Sequence, residues 1–199
     1  MKVIGITGGI GSGKTEILRY IEDNCRCKIL HGDDIAKRLQ EPGKECYSKI
    51  VSLLGREILT DDGSIDRGKM AAAIFRDGNS LKKVNGIIHP AVERYILNEI
   101  NTERENGQTD YLFIEAALLI ECGYEKICDE LWYIYADENV RRTRLKTDRG
   151  YPDEKITEIM NSQQCESVFR KVCTATIDNS GTLENTCRQI DKIIGGNET

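Results

Sequence analysis

Residues 8–15 read Gly8-Gly9-Ile10-Gly11-Ser12-Gly13-Lys14-Thr15, a complete G-x-x-x-x-G-K-[ST] pattern between the apolar run Val3-Ile4-Gly5-Ile6 and a helix-like stretch from Glu16 to Ile21. A strand before and a helix after are the context a phosphate-binding loop requires. A phosphate chain carries several negative charges. Backbone N–H groups at a helix N-terminus meet those charges with fixed partial positive charge at little desolvation cost. Glycines let the main chain come that close. The segment from Gly9, Ile10, Gly11, Ser12 and Gly13 through Lys14, Thr15 and Glu16 is therefore the expected cradle. Lys14 is expected to bridge the β- and γ-phosphates, and the Thr15 hydroxyl to ligate Mg²⁺.

Strand and helix signals alternate outward from the loop. Val3 to Thr7 reads as a buried strand, and the following helix runs to about Asn24 with Ile17, Leu18 and Ile21 on its inner face. Lys28-Ile29-Leu30-His31 is the second strand. A helix begins at Asp34 and is broken at Pro42-Gly43; helical spacing resumes from Tyr47 to Leu54. From Asp66 to Glu103 the pattern is mostly helical, with interruptions expected at Asp77-Gly78-Asn79 and at His89-Pro90. Two short apolar runs, Tyr111 to Leu119 and Leu131 to Ala136, suit buried parallel strands. Asn139 to Lys171 is charged and helical with one clear break at Arg149-Gly150-Tyr151-Pro152. Thr176 to Asn179 reads as an edge strand, Leu183 to Ile194 as a closing amphipathic helix, and Gly195 to Thr199 as a frayed tail. Strands alternating with helices behind a phosphate loop imply a doubly wound α/β fold with a parallel sheet and ligands at the carboxyl ends of its strands.

The 199 residues suffice for one sizeable core, and the even composition predicts one domain, 1–199, carrying a helical insertion over 60–103. Lys plus Arg number 28 against 33 Asp plus Glu, a net charge of −5 that disfavours a nucleic-acid surface and requires any basic pocket to be local. No apolar stretch has the length of a membrane span, and the first residues enter a strand with no signal segment, so a cytoplasmic protein is expected. Eight cysteines form no C-x-x-C pair and have no histidine at zinc-finger spacing, which predicts free thiols and no zinc.

Phosphoryl transfer needs a cradle, a metal, positive charge over the equatorial oxygens and a carboxylate for the attacking hydroxyl. Asp33 and Asp34 follow the second strand. One is a candidate base, and either could instead cap the next helix. Glu115 lies in an apolar strand, where an unpaired carboxylate would suffer heavy desolvation, so it should face a metal or a basic side chain. Arg141, Arg142, Arg144 and Arg149 cluster after the fourth strand. One or two of them, Arg144 first, are expected to close over the phosphates, while the rest form a solvated face with Asp137, Glu138 and Asp148.

Several further segments follow the loop in a selective order: Asp33-Asp34-Ile35-Ala36-Lys37, Glu41-Pro42-Gly43, Asp62-Gly63-Ser64-Ile65-Asp66-Arg67, Ile74-Phe75, Ile87-Ile88-His89-Pro90, Leu118-Leu119-Ile120-Glu121 and Ile177-Asp178-Asn179-Ser180-Gly181. With them the chain resembles the dephospho-CoA kinases over nearly its whole length. The resemblance implies ATP and dephospho-CoA as substrates, Mg²⁺ as cofactor, and transfer of the γ-phosphoryl group to the ribose 3′-hydroxyl. It implies Asp33 as general base; Lys14, from the loop, and Arg144, from the arginine cluster, are the expected catalytic cations. Asn179 and Gly181 fall near the adenine of ATP, and Arg67, His89 and Glu121 on the acceptor side. Glu115 joins Thr15 at the metal, and residues 140–165 form a lid.

The chain departs from that family where it has His31 for an acid, Ala117 for a proline, Asp148-Arg149 for Arg-Asp, Ile159 near a frequent arginine and Thr174 for an aspartate. These departures bear on the lid more than on the base. They leave open a related kinase with another hydroxyl acceptor, or an ATP-binding protein without efficient transfer.

Overall fold

In the computed structural model, which describes residues 1–116, 119–121 and 123–195, the apolar N-terminal run forms strand β1 (Lys2–Thr7) and the phosphate loop leads into α1 (Lys14–Asn24). The chain divides into two compact units, Met1–Ile29 with Asn106–Thr199, and Leu30–Glu105. Strand β2 (Cys27–His31) crosses the boundary. The first unit continues with β3 (Tyr111–Glu115), β4 (Glu130–Tyr135), β5 (Ala175–Asp178) and the closing helix Leu183–Gly195.

The strand order is β2-β3-β1-β4-β5. β1 pairs in parallel with β3 on one side and β4 on the other, and β4 with β5, which takes the edge. β2 and β3 thus lie on one side of β1 and β4 and β5 on the other, so the carboxyl end of β1 is a topological switch point, the usual place for a ligand crevice. Ile4, Ile6, Phe113, Trp132, Ile134 and Ile177 of the sheet pack with Ile17, Leu18 and Ile21 of α1 and Ile190 of the closing helix. Those three α1 residues repeat at helical spacing, and they are the ones buried.

Helices fill the second unit: α2 (Gly32–Leu39), α3 (Tyr47–Leu54), α4 (Arg67–Arg76) and α5 (Ser80–Asn106). Its own core gathers Cys46, Ile50, Leu54, Ile58, Val84 and Ala91. The break expected at Asp77-Gly78-Asn79 separates α4 from α5. The break expected at His89-Pro90 does not occur, because α5 runs through Pro90 for 27 residues and His89 is a mid-helix residue. Proline there forfeits a hydrogen bond to the carbonyl of Gly86 and crowds it, a local cost of about 3 kcal/mol. Val84, Ala91, Val92, Ile96 and Ile100 are buried along the same helix, and the burial of large aliphatic side chains, about 1.5–3 kcal/mol each, outweighs the cost.

A second correction concerns residues 139–171. Besides the break at 150–152, the chain leaves the helical path at 162–165, giving α6 (Glu138–Arg149), α7 (Asp153–Asn161) and α8 (Glu166–Val172). The polar run Ser162-Gln163-Gln164 offers no apolar side chain to bury, and that is where the path turns. The third strand ends at Glu115, and Ala117 and Leu118 of the predicted longer run lie outside the described residues, as do Cys122 and residues 196–199 of the tail. Seven cysteines are described, all as free thiols; burial pushes Cys128 up to about 12 and Cys27 to about 11. No described helix is long and apolar enough to cross a membrane.

The proline cost is measurable. Pro90→Ala restores the missing hydrogen bond and raises the unfolding free energy of the protein by about 1–3 kcal/mol in urea denaturation; an unchanged midpoint would mean that α5 bends around the ring without cost.

Candidate functional site

The loop between β1 and α1 owes its path to two glycine positions. Gly13, the N-cap of α1, is left-handed at φ +88°, and a Cβ there would stand 2.3 Å from the Asn179 side-chain nitrogen. A Cβ on Gly9 would lie 2.5 Å from the Arg141 guanidinium. The loop backbone is thus in close contact with side chains from α6 and from the turn after β5.

Those side chains hold the carbonyl oxygens of the loop. Asn179 Nδ2 donates to Ser12 O at 2.7 Å, and Arg144 Nη1 to Ser12 O at 3.3 Å and Gly11 O at 3.4 Å. Arg144 Nη2 donates to Asn179 O at 2.8 Å, and the Thr186 hydroxyl to Asn179 Oδ1 at 2.9 Å, which fixes the amide orientation of Asn179. Arg141 Nε donates to Ile10 O at 2.8 Å. A trans peptide points its C=O and its N–H in opposite directions. Anchoring the oxygens of Ile10 and Ser12 on these groups therefore turns the N–H groups of Gly11 and Gly13 the other way. Together with the Thr15 N–H, in the first turn of α1, they have no acceptor among the described residues. Such a row of donors at a helix N-terminus is suited to an anion.

The loop borders a cavity of about 500 Å³. Gly9, Ile10, Gly11, Ser12, Gly13, Lys14, Thr15 and Glu16 line it, and so do Arg144, Asn179 and Gly181, all eleven residues assigned to the nucleotide from sequence. Leu145, Asp148, Arg149 and Leu183 line it as well. Lys14 Nζ donates to Gly8 O at 2.8 Å and lies 4.0 Å from Glu115 Oε1. The β1–β3 register sets Ile6 beside Glu115, so the carboxylate arrives at the strand end where the loop begins. Both alternatives for Glu115, a basic partner and a metal, keep their geometry, since its carboxylate borders the cavity together with the Thr15 hydroxyl. No cluster of three His, Cys, Asp or Glu ligands occurs among the described residues. One hydroxyl and one carboxylate fit Mg²⁺, which keeps several waters and takes substrate phosphate oxygens as further ligands.

Arg144 already engages the loop carbonyls rather than standing apart from them. Arg142 belongs to the solvated face, paired with Glu138 at 2.8 Å. Arg149 and Asp148, the inverted pair, both border the cavity. Sequence reasoning did not single out Arg141 and missed Gln163 altogether: Gln163 Oε1 accepts from Ile10 N at 3.1 Å and from Arg141 Nη2 at 2.9 Å. The Ile10 N–H, expected to face phosphate, is committed to that glutamine. One of four clustered arginines carries no distinguishing local signal, and a glutamine in a polar turn carries none.

Asp33, Arg67 and His89 belong to the second unit, and Glu121, exposed in a turn, to the first. Neither Asp33 nor Asp34 is a cap, as either might have been; His31 occupies the N-cap of α2, where no side-chain bond caps the helix, and both aspartates lie in the first turn. Favourable interaction with the helix N-terminus remains open to both there. Asp34 is bound to Lys37 Nζ at 2.7 Å, and that hydrogen bond holds its carboxyl below the usual range. Asp33 is exposed and makes no such pair among the described residues. Arg67 opens α4 behind its cap Asp66 and borders a cavity of about 200 Å³ with Lys37, Gln40, Glu41 and Ser64; His89 is not among the residues lining it.

The model of the dephospho-CoA kinase family matches residues 2–185. The chain is 33% identical over 195 residues to the dephospho-CoA kinase of Carboxydothermus hydrogenoformans, covering 98% of this chain and 93% of that one. It is 32% identical over 187 residues to that of Shouchella clausii, with 94% of each covered. Among solved structures, TT1252 from Thermus thermophilus shares the fold at TM-score 0.82 and 26% identity, covering 98% of this chain and 97% of that one. Dephospho-CoA kinase from Campylobacter jejuni does so at TM-score 0.73 and 21% identity, covering 99% and 100%.

The loop geometry makes its own forecast. Gly13→Ala adds left-handed strain and a collision with Asn179, so it lowers stability by roughly 1–3 kcal/mol and weakens Mg-ATP binding at least tenfold; thermal unfolding and calorimetric titration check the two effects.

Proposed function

The chain belongs to the dephospho-CoA kinase family, and from that premise we propose that it transfers the γ-phosphoryl group of ATP to the ribose 3′-hydroxyl of dephospho-CoA, giving coenzyme A and ADP. One observation carries the nucleotide half of this reading: the donors of the phosphate loop, Lys14, Arg144 and Arg149 converge on a single cavity that also receives Thr15 and Glu115. The acceptor half rests on family membership.

Phosphoryl transfer asks little covalent chemistry of the protein and much positioning. In this reading the loop N–H groups and Lys14 hold the β- and γ-phosphates, and Arg144 and Arg149 neutralise charge that builds on the transferring group. Gly181 and Asn179 shape the adenine end. Thr15 and Glu115 would hold Mg²⁺, which when bound supplies charge neutralisation between the phosphates. Asp33 accepts the proton of the 3′-hydroxyl while its oxygen bonds to the γ-phosphorus and the bond to the β–γ bridging oxygen breaks. Arg67, His89 and Glu121 bind the acceptor, the former two within a helical insertion over 60–103 of a single kinase domain. Residues 140–165 act as the lid, whose closure excludes water and so suppresses ATP hydrolysis. Small-molecule substrates, a net charge of −5 and the absence of a membrane-spanning helix among the described residues support a cytoplasmic enzyme that engages neither nucleic acid nor membrane.

The test is ADP release from Mg-ATP with and without dephospho-CoA, with the product identified by mass. Acceptor-dependent release yielding coenzyme A is expected; release that ignores the acceptor would overturn the assignment. Asp33→Asn should retain Mg-ATP affinity and lose about 10²–10⁴-fold in kcat, because a general base acts in the transition state. A variant as active as the native enzyme would remove Asp33 from that role.

A further inference from the structure

Beyond the residues that line the nucleotide cavity, one peptide of the phosphate loop is gripped on both of its polar groups. Ile10 O accepts from Arg141 Nε at 2.8 Å, Ile10 N donates to Gln163 Oε1 at 3.1 Å, and Arg141 Nη2 closes the triangle on the same Gln163 oxygen at 2.9 Å. The grips come from α6 and from the turn between α7 and α8, about 130 and 150 residues along the chain from Ile10. The guanidinium is half-buried over Gly9, in the space that a side chain there would fill. We propose that Gln163 and Arg141 are positioning residues for phosphoryl transfer: they fix the Ile10 peptide so that the Gly11 N–H faces the nucleotide phosphates.

Three physical points support it. A planar trans peptide cannot turn the Gly11 N–H without moving the Ile10 carbonyl, so the hydrogen bond to Arg141 sets the direction of the donor. Two glycines flank Ile10, and glycine leaves the backbone its widest choice of conformations; such a segment needs an external restraint to keep donors aligned before the ligand arrives. Finally, Gln163 is the one acceptor for two donors. Burial also lowers the pKa of Arg141, although a guanidinium remains charged at neutral pH.

The proposal rests on the kinase reading for its consequence in turnover, so its test reads Mg-ATP binding directly, which needs no acceptor. Gln163→Met keeps the size of the side chain and removes the oxygen. Gln163→Glu keeps an acceptor for both donors, and Gln108→Met, at an exposed loop position outside the site and the lid, serves as control. Calorimetric titration with Mg-ATP should give a Kd about tenfold higher for Gln163→Met, about 1.4 kcal/mol. Gln163→Glu should stay within about threefold of the native protein and Gln108→Met should be unchanged, with thermal unfolding run in parallel to show that each is folded. Steady-state kinetics should show the loss in KM for ATP and not in KM for the acceptor. Native-like affinity in Gln163→Met overturns the proposal, and so does equal loss in the Met and Glu variants, which would mark Gln163 as packing only. If Gln163→Met does not fold, Arg141→Lys, which loses the paired geometry but keeps the charge, must raise the Kd by a similar factor for the proposal to stand. Failure of acceptor-dependent turnover in the native enzyme would bear on the assigned reaction and leave this binding comparison intact.

Discussion

A planar trans peptide points its N–H away from its C=O, so whatever holds the C=O also aims the N–H, and the cavity at the phosphate loop of this protein is built around that constraint. The carbonyl oxygens of Ile10, Gly11 and Ser12 are each held by a guanidinium or a side-chain amide. The N–H groups of Gly11 and Gly13 turn away from those anchors as a result. Asn179 is anchored in turn by Thr186, and Arg144 bridges the Ser12 and Asn179 carbonyls. The loop is thereby made ready for an anion by residues that are distant from it along the chain.

The same arrangement explains why so few charged groups suffice. A net charge of −5 leaves no general excess of positive potential for a triphosphate. The protein concentrates what it has: Lys14, Arg144 and Arg149 border one cavity at the carboxyl end of β1. Glu115 arrives beside Lys14 because the β1–β3 register places it opposite Ile6. A carboxylate there holds the lysine in place and leaves oxygen ligands for a hard cation. Several of the other arginines and lysines make exposed pairs such as Arg19–Glu16 and Arg188–Glu184, which contribute little to stability.

The helical unit Leu30–Glu105 follows a different logic. Its core of Cys46, Ile50, Leu54, Ile58, Val84 and Ala91 carries the apolar faces of several helices, and that burial keeps α5 helical through Pro90. The residues proposed for the acceptor are set on this frame at helix starts and in mid-helix: Asp33 in the first turn of α2, Arg67 opening α4, His89 within α5. Elements with such starts present polar side chains from rigid backbone, which suits the recognition of a bulky acceptor.

Local signals in the sequence were enough for the class of fold, the strand–loop–helix at the phosphate site, the inner face of α1 at Ile17, Leu18 and Ile21, and the edge position of the last strand. They also picked out residues that line one cavity at the loop, Gly9 to Glu16 with Arg144, Asn179 and Gly181. Each of these depends on a pattern within a few residues: glycine spacing, helical or alternating periodicity, or a family motif. Tertiary structure decided what no short window contains. A proline reads as a break until buried side chains on both flanks show that the helix is held from outside. Two aspartates after a strand read equally well as caps until the helix begins at Gly32, with His31 as its cap. Arg141 and Gln163 have nothing in their neighbourhood to mark them, because their role exists only where α6 and a polar turn meet the Ile10 peptide. Hydrogen-bond partners far apart in sequence are chosen by packing, and packing is the one thing that a linear pattern does not record.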